Sequence, residues 1–241
     1  DQTCIKTIRS IVDKIGSNEK AGYDRKESTA PKLKEEDIYG IFPKDRATPY
    51  NTKEIIKRIV DNSEFTEYKA GYGKTIVTGY ARIDGWSVGI VANQREMIKT
   101  KKGELQFGGV IYSDSADKAA KDGAKMVNAV SNSVVPKFTI VLGNSYGAGN
   151  YAMCGKAYDP RLIVGWPTAQ VAVMGGAQAA KVLLQIEVAS AKSRGEEISP
   201  EKEKEMFNSV KAKYDEQTTP EYAASRLWLD AIIDPLDTRK W

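Results

Sequence analysis

The chain has 241 residues, 41% of them hydrophobic, enough to bury a sizeable core in one large domain or two small ones. Its 36 Lys and Arg against 32 Asp and Glu leave a net charge of +4 spread along the sequence, without the basic stripe that nucleic acid demands. No stretch approaches the roughly 20 apolar residues of a membrane span, and there is no signal-peptide or transit pattern at the N-terminus.

Histidine is absent. That excludes Ser-His-Asp and Cys-His nucleophilic catalysis, histidine general bases and histidine-containing zinc sites. Cys4 and Cys154 are too remote in sequence to suggest a disulfide framework or a ligand cluster, which fits a reducing compartment and predicts no metal site. Chemistry must come from backbone dipoles, carboxylates, Lys, Tyr or a cofactor.

Residues 3–15 place Ile5, Ile8, Val12 and Ile15 at helical spacing, with Thr3 as cap and Gly16 as stop, and predict an amphipathic helix. Residues 17–37 are polar and aperiodic, reading as a connector. Thr52 is expected to cap a helix with Ile55, Ile56, Ile59 and Val60 on one side. Two β-branched runs, 74–81 and 86–92, flank Asp84-Gly85 and predict a hairpin. Asp114 or Ser115 can cap a helix through 116–118, and 124–130 reads as another.

A buried strand is expected at 138–142, with further short strands at 163–164 and 170–174. Helices follow at 179–192, closed by Gly195, then from Ser199-Pro200-Glu201 to about Tyr214, and from Pro220 to about Leu229. Strand and helix alternate, so the pattern predicts an α/β layered domain.

Two segments place small residues between a strand and a helix. In GNSYGAGNYAM (143–153), Gly147, Gly149 and Ala152 satisfy G-x-G-x-x-A. A dinucleotide fingerprint should sit directly at the strand end, open a full helix and be followed about 20 residues later by an acid, and these conditions are not met here. In VAVMGGAQAA (171–180), Gly175-Gly176 precede a helix, so backbone N–H groups and the positive end of the helix dipole could converge as an oxyanion hole. The plain alternative is a tight turn that needs glycine only for positive φ.

Elsewhere the bland readings are stronger. Phe107-Gly108-Gly109-Val110 could be an anion nest but suits a turn. Arg95, Lys99, Lys101 and Lys102 could attract phosphate but suit solvated charge. Tyr146, Tyr151 and Tyr158 could line a pocket or simply edge the core.

Taken together, FGGVIYSDSADKAA, KDGAKMVNAVSNSVVPKFTIVLGNSYGAGNYAMCGKAYDPR and WPTAQVAVMGGAQAAKVLLQ resemble the carboxyltransferase (β) subunit of biotin-dependent acyl-CoA carboxylases, most closely the methylcrotonoyl-CoA type. The resemblance implies a crotonase-like (ClpP-like) spiral of βα units. It also implies that residues 38–241 form the C-terminal, biotin-side carboxyltransferase domain, and that 1–37 are a helix and linker from an N-terminal domain absent from this chain.

The activity so implied moves a carboxyl group from carboxybiotin to an acyl-CoA such as methylcrotonoyl-CoA or propionyl-CoA. Backbone oxyanion holes do the work, which suits a chain without histidine. The Gly175 and Gly176 amides would hold the biotin ureido oxygen. Gly147, Ala148, Gly149, Asn150 and Tyr151 would form the floor beside it, with Ala177 and Gln178 near the acyl pocket. Implied partners are a biotin carboxylase and biotin carboxyl carrier subunit and further copies in a hexamer, in the cytoplasm or, in a eukaryote, the mitochondrial matrix.

Family members carry a further segment, including an apolar strand, where this sequence runs directly from Ala120 to Lys121. The same fold would also serve a biotin-dependent acyl-CoA decarboxylase, and glycine turns used only for packing would make the chain an assembly module.

Overall fold

The computed structural model describes residues 2–15, 24–45, 48–100, 103–112, 114–115, 118, 123–195 and 198–241. The chain divides into two units, Asp1–Ser133 with Asp234–Trp241, and Val134–Ile233. The stop expected at Gly16, the helix at 116–117 and the junction at Ala120–Lys121 lie outside the described residues.

The first unit is built on an antiparallel sheet, β1 (Thr66–Glu67), β2 (Ile76–Ile83) and β3 (Trp86–Asn93), in the order β1-β2-β3. The hairpin is the predicted one. Its register runs from Ile76↔Asn93 to Ile83↔Trp86. Asp84 and Gly85 both take positive φ, 51° and 79°, the two-residue turn whose twist matches the strands. Buried Asp61 accepts from the Asp84 and Gly85 N–H groups at 3.0 and 2.8 Å and pairs with Arg239 at 2.6 Å. Arg239 also donates to the carbonyls of Ile59 and Thr29, both at 2.8 Å, fastening residues 234–241 onto this unit.

Val77 and Ala81 on β2 pack with Ile56 and Val60 into a core flanked by Phe65, Val88 and Ile90. Helix α1 (Gln2–Ile15) packs on the same sheet, with the Arg82 guanidinium donating to the Asp13 carbonyl at 2.7 Å. Its inward side is polar: Ser10 meets Thr66 at 2.9 Å and Lys14 is buried. Ile5, Ile8 and Val12, expected to bury, are exposed. Thr3 lies within the helix and its carbonyl accepts from the Thr7 hydroxyl.

Within the connector, Arg25 bridges to Trp86 and Asp24 pairs with Arg82. A short helix, α2 (Ile38–Ile41), precedes α3 (Thr52–Ile56). The cap of α3 is Asn51, whose side chain accepts from the Lys53 N–H; Thr52 is its first helical residue and hydrogen-bonds outward to Asn93. The small pair β4 (Ile98–Lys99) and β5 (Leu105–Gln106) and helix α4 (Gly123–Asn132) also belong to this unit, with short 3-10 turns at Glu35–Asp37, Asp61–Ser63 and Pro235–Asp237.

The second unit is the α/β part. Strands β6 (Phe138–Val141), β8 (Leu162–Gly165) and β10 (Ala231–Ile232) form a parallel sheet with β8 central, and β7 (Asn144–Tyr146) pairs in parallel with β9 (Gln170–Ala172). The core gathers Val141, Ile163, Ala169, Ala223 and Leu229. The helices are α5 (Gly147–Ala152), α6 (Gly176–Ser193), α7 (Pro200–Gln217) and α8 (Pro220–Ser225). Ser199 caps α7 as expected. Strand β6 is less buried than its apolar run suggests: Phe138 and Ile140 are 61% and 40% exposed. Strands β7 and β10 have no counterpart in the expected elements.

Candidate functional site

The two glycine turns meet at one end of the β7–β9 pair. Tyr146 stands opposite Ala172 in a parallel register, so both strands leave the sheet on the same side. Helix α5 starts at Gly147, directly after β7; α6 starts at Gly176, after the turn 173–175. The starts of the two segments assigned to one site by resemblance, 147–151 and 175–178, thus lie at the same end of this strand pair. A Cβ on Gly147 would lie 2.9 Å from the Val173 carbonyl oxygen, and Gly147 has φ 52°, so this position requires glycine twice over.

The pair Gly175-Gly176 separates into two environments. Gly175 is the N-cap of α6, with φ −67° and ψ 147°, a backbone any residue adopts. It makes no side-chain cap hydrogen bond, and a Cβ there would meet the Tyr146 ring at 3.4 Å, ordinary contact. Gly176 is buried inside the first turn. A Cβ there would run into the Asp215 carboxylate and come 3.1 Å from the Lys211 carbonyl oxygen, so glycine is what lets α7 approach. Positive φ, the plain reason for two glycines, applies to neither.

Helix α6 is 18 residues long, carries no acidic side chain in its first turn and begins on a residue with no side-chain acceptor. Its leading N–H groups have no partner further up the helix, and the dipole adds a partial positive charge there. The nearby Asp215 carboxylate is held by Lys211 at 2.5 Å, which offsets its charge. Ala177 and Gln178, on the first turn, are exposed. The end of α6 can therefore hold an anionic oxygen through backbone donors.

The other expected residues have different surroundings. Ala148 is exposed and Gly149 half-buried. Asn150 braces its own loop: its side-chain amide donates to Ser145 Oγ at 2.8 Å and its carbonyl accepts from the Gly155 N–H at 2.8 Å. Tyr151 is half exposed and meets Tyr158 edge-on, with ring centroids 6.1 Å apart. At Phe107–Val110 the turn reading holds, because the Gly109 N–H donates to the Gln94 carbonyl at 2.7 Å and Arg95 donates to the Gly108 carbonyl at 3.3 Å. Lys101 and Lys102 lie outside the described residues. Sequence reasoning passed over Gln170, which accepts from the Tyr146 hydroxyl, and Asp215; neither carries a local motif.

Among the described residues there is no group of three or more Cys, Asp or Glu arranged to hold a metal, and no helix long and apolar enough to cross a membrane.

The carboxyl transferase domain model matches in two stretches, residues 1–122 and 120–241. The chain is 42% identical, over 99% of its length and 49% of the relative's, to the biotin-dependent 3-methylcrotonyl-coenzyme A carboxylase beta1 subunit of Mycobacterium tuberculosis. Among solved structures it matches the beta subunit of P. aeruginosa geranyl-CoA carboxylase (TM-score 0.75, 32% identity, 98% of this chain and 48% of that one). It also matches the transcarboxylase 12S hexamer with hydrolysed methylmalonyl-coenzyme A bound (TM-score 0.74, 30% identity, 92% and 46%). The chain spans about half the length of the relatives it matches. Its fold is the crotonase-like α/β fold of these carboxyltransferases, and the chain belongs to the carboxyl transferase domain family.

Proposed function

We propose that this chain is the biotin-side half of the carboxyltransferase subunit of a biotin-dependent acyl-CoA carboxylase, with a methylcrotonoyl-type acyl-CoA as substrate. The observation that carries the reading is the uncapped N-terminus of α6 at Gly175, set beside the Gly147 turn at the same end of the β7–β9 pair. The M. tuberculosis relative's name supplies the reaction class.

The site suits a ureido oxygen. It offers backbone donors with a positive dipole and no side-chain acceptor at the cap. Biotin, brought by a carrier partner, supplies the carboxyl group and, after giving it up, the base for the substrate proton. This chain's part is electrostatic: the Gly175 and Gly176 amides donate to the oxygen that gains negative charge, already aimed before reaction, so little reorganisation is needed. The turn Gly147–Tyr151 forms the floor, and Ala177 and Gln178 face the region that would receive the acyl group.

By the same reading the partners are a biotin carboxylase and carrier subunit and further copies of the subunit, as the hexamer assembly of transcarboxylase 12S supports. A reducing compartment, the cytoplasm or the mitochondrial matrix, suits the two free cysteines. We further propose that residues 38–241 are the C-terminal domain, that 1–37 lead in from a preceding one, and that a family segment is missing between Ala120 and Lys121. The two family matches that meet at 120–122 support the last point.

The test is Gly175→Val in the full-length subunit. The backbone at Gly175 admits valine, so the change is steric: the new methyls enter the space between the α6 terminus and Tyr146. Carboxyl transfer from carboxylated acyl-CoA to biotin should fall by about 10²–10³, the loss typical of one oxyanion donor, while oligomer size is unchanged. An assembled variant with a near wild-type rate would show that the glycines serve packing alone.

A further inference from the structure

The turn 173–175 decides where the Gly175 N–H points, and it is short of support from its own residues. Val173 is 77% exposed, and the first helical bond, from the Ala179 N–H to the Gly175 carbonyl at 3.0 Å, fixes only the far side of Gly175. Part of what borders the turn comes from the neighbouring strand. Gly147 fits under the Val173 carbonyl, and the Tyr146 ring lies along Gly175, its Cε2 and Cζ being 3.4 and 3.8 Å from the place a Cβ would take.

The ring is itself anchored. Tyr146 pairs in register with Ala172, and its hydroxyl donates to Gln170 Oε1, two residues earlier on β9. Gln170 is held in turn, its N–H donating to the Gly143 carbonyl at 3.0 Å. One aromatic side chain therefore spans from the start of β9 to the residue that caps α6.

We propose that Tyr146, anchored by Gln170, is the positioning residue that fixes the Gly175 amide for carboxyl transfer. This rests on reading the α6 terminus as the oxyanion site. A rigid ring stops the turn from rocking about the strand end, and the Gln170 bond stops the ring from swinging out. Misplacing reacting groups by about 1 Å can cost on the order of 10²-fold in rate, so a strut without substrate contact can control kcat.

The experiment uses the assembled full-length enzyme, reading kcat and KM for carboxyl transfer from carboxylated acyl-CoA to biotin, with the melting temperature alongside. Tyr146→Phe keeps the ring and loses the anchor; Gln170→Leu loses the anchor from the other end. Each should lower kcat by about 10-fold, and the double variant should be no worse than either single one, because both remove the same link. KM for the acyl-CoA should stay within about twofold, as expected when an interaction made only in the transition state is lost. Tyr146→Ala, where it assembles, should cost about 100-fold.

If the single variants melt earlier yet keep wild-type kcat, or if their losses multiply, Tyr146 is a packing residue and the inference is overturned. The Gly175→Val enzyme separates the two levels. Should that variant be inactive while the Tyr146 and Gln170 variants are normal, the site stands and only the strut fails. Should Gly175→Val be active, the site assignment fails first.

Discussion

Asp230 shows how one side chain can tie a strand end to its surroundings. Its carboxylate accepts from the Ile163 N–H at 2.8 Å and from the Lys156 ammonium at 2.9 Å. The backbone hydrogen bond first, and the lysine second, hold its pKa below the ordinary carboxylate range. A depressed folded-state pKa adds stability that is complete above the unfolded-state value of about 4 and is lost as pH falls through the lower, folded value. The pair is partly exposed, so solvent screens it and the increment is small. Asp230→Asn should therefore be less stable than wild type near pH 7, and urea titrations should show the gap narrowing toward about pH 3. A gap that does not change with pH would mean that the charge contributes nothing.

The elements differ in how far local sequence could specify them. The hairpin at Asp84-Gly85 was legible because both positive-φ positions sit in the turn itself. Strand β7 was not: Asn-Ser-Tyr has no β-branched run, and its partner β9 lies on the far side of β8 in sequence. For the same reason the sequence brought out two glycine turns but not their meeting. That packing requires glycine at 176 and admits a Cβ at 175 depends on Asp215 and Tyr146, which sit on other elements. The cap at Asn51 rather than Thr52 was a choice between two good capping residues, decided by the outward bond from Thr52 to Asn93. In α1 the apolar spacing correctly predicted a helix but misjudged its direction, because Ser10 and the Asp13 carbonyl are satisfied by Thr66 and Arg82 on the sheet, and buried Lys14 donates to Ser10.

Strand β6 is the element with a liability. Among the described residues its one neighbour is β8, and Phe138 and Ile140, two apart and so on one face, are open to solvent. An apolar strand with a free edge is a template for another chain, and a lysine on it is the usual remedy. Ile140→Lys should reduce concentration-dependent self-association of this chain in sedimentation velocity, with stability changed by about 1 kcal/mol or less. Unaltered association would place the sticky surface elsewhere.

At the scale of the molecule, the first unit is discontinuous in sequence. It needs residues 234–241, which follow the whole of the second unit. Until they arrive, Asp61 holds the Asp84-Gly85 turn without the Arg239 guanidinium that balances its buried charge. During synthesis on a ribosome the second unit is thus available to fold before the first can be closed. Loss of the residues after Ile233 would spare every residue of the 134–233 unit, yet its damage would fall on a hairpin that precedes that whole unit in the sequence.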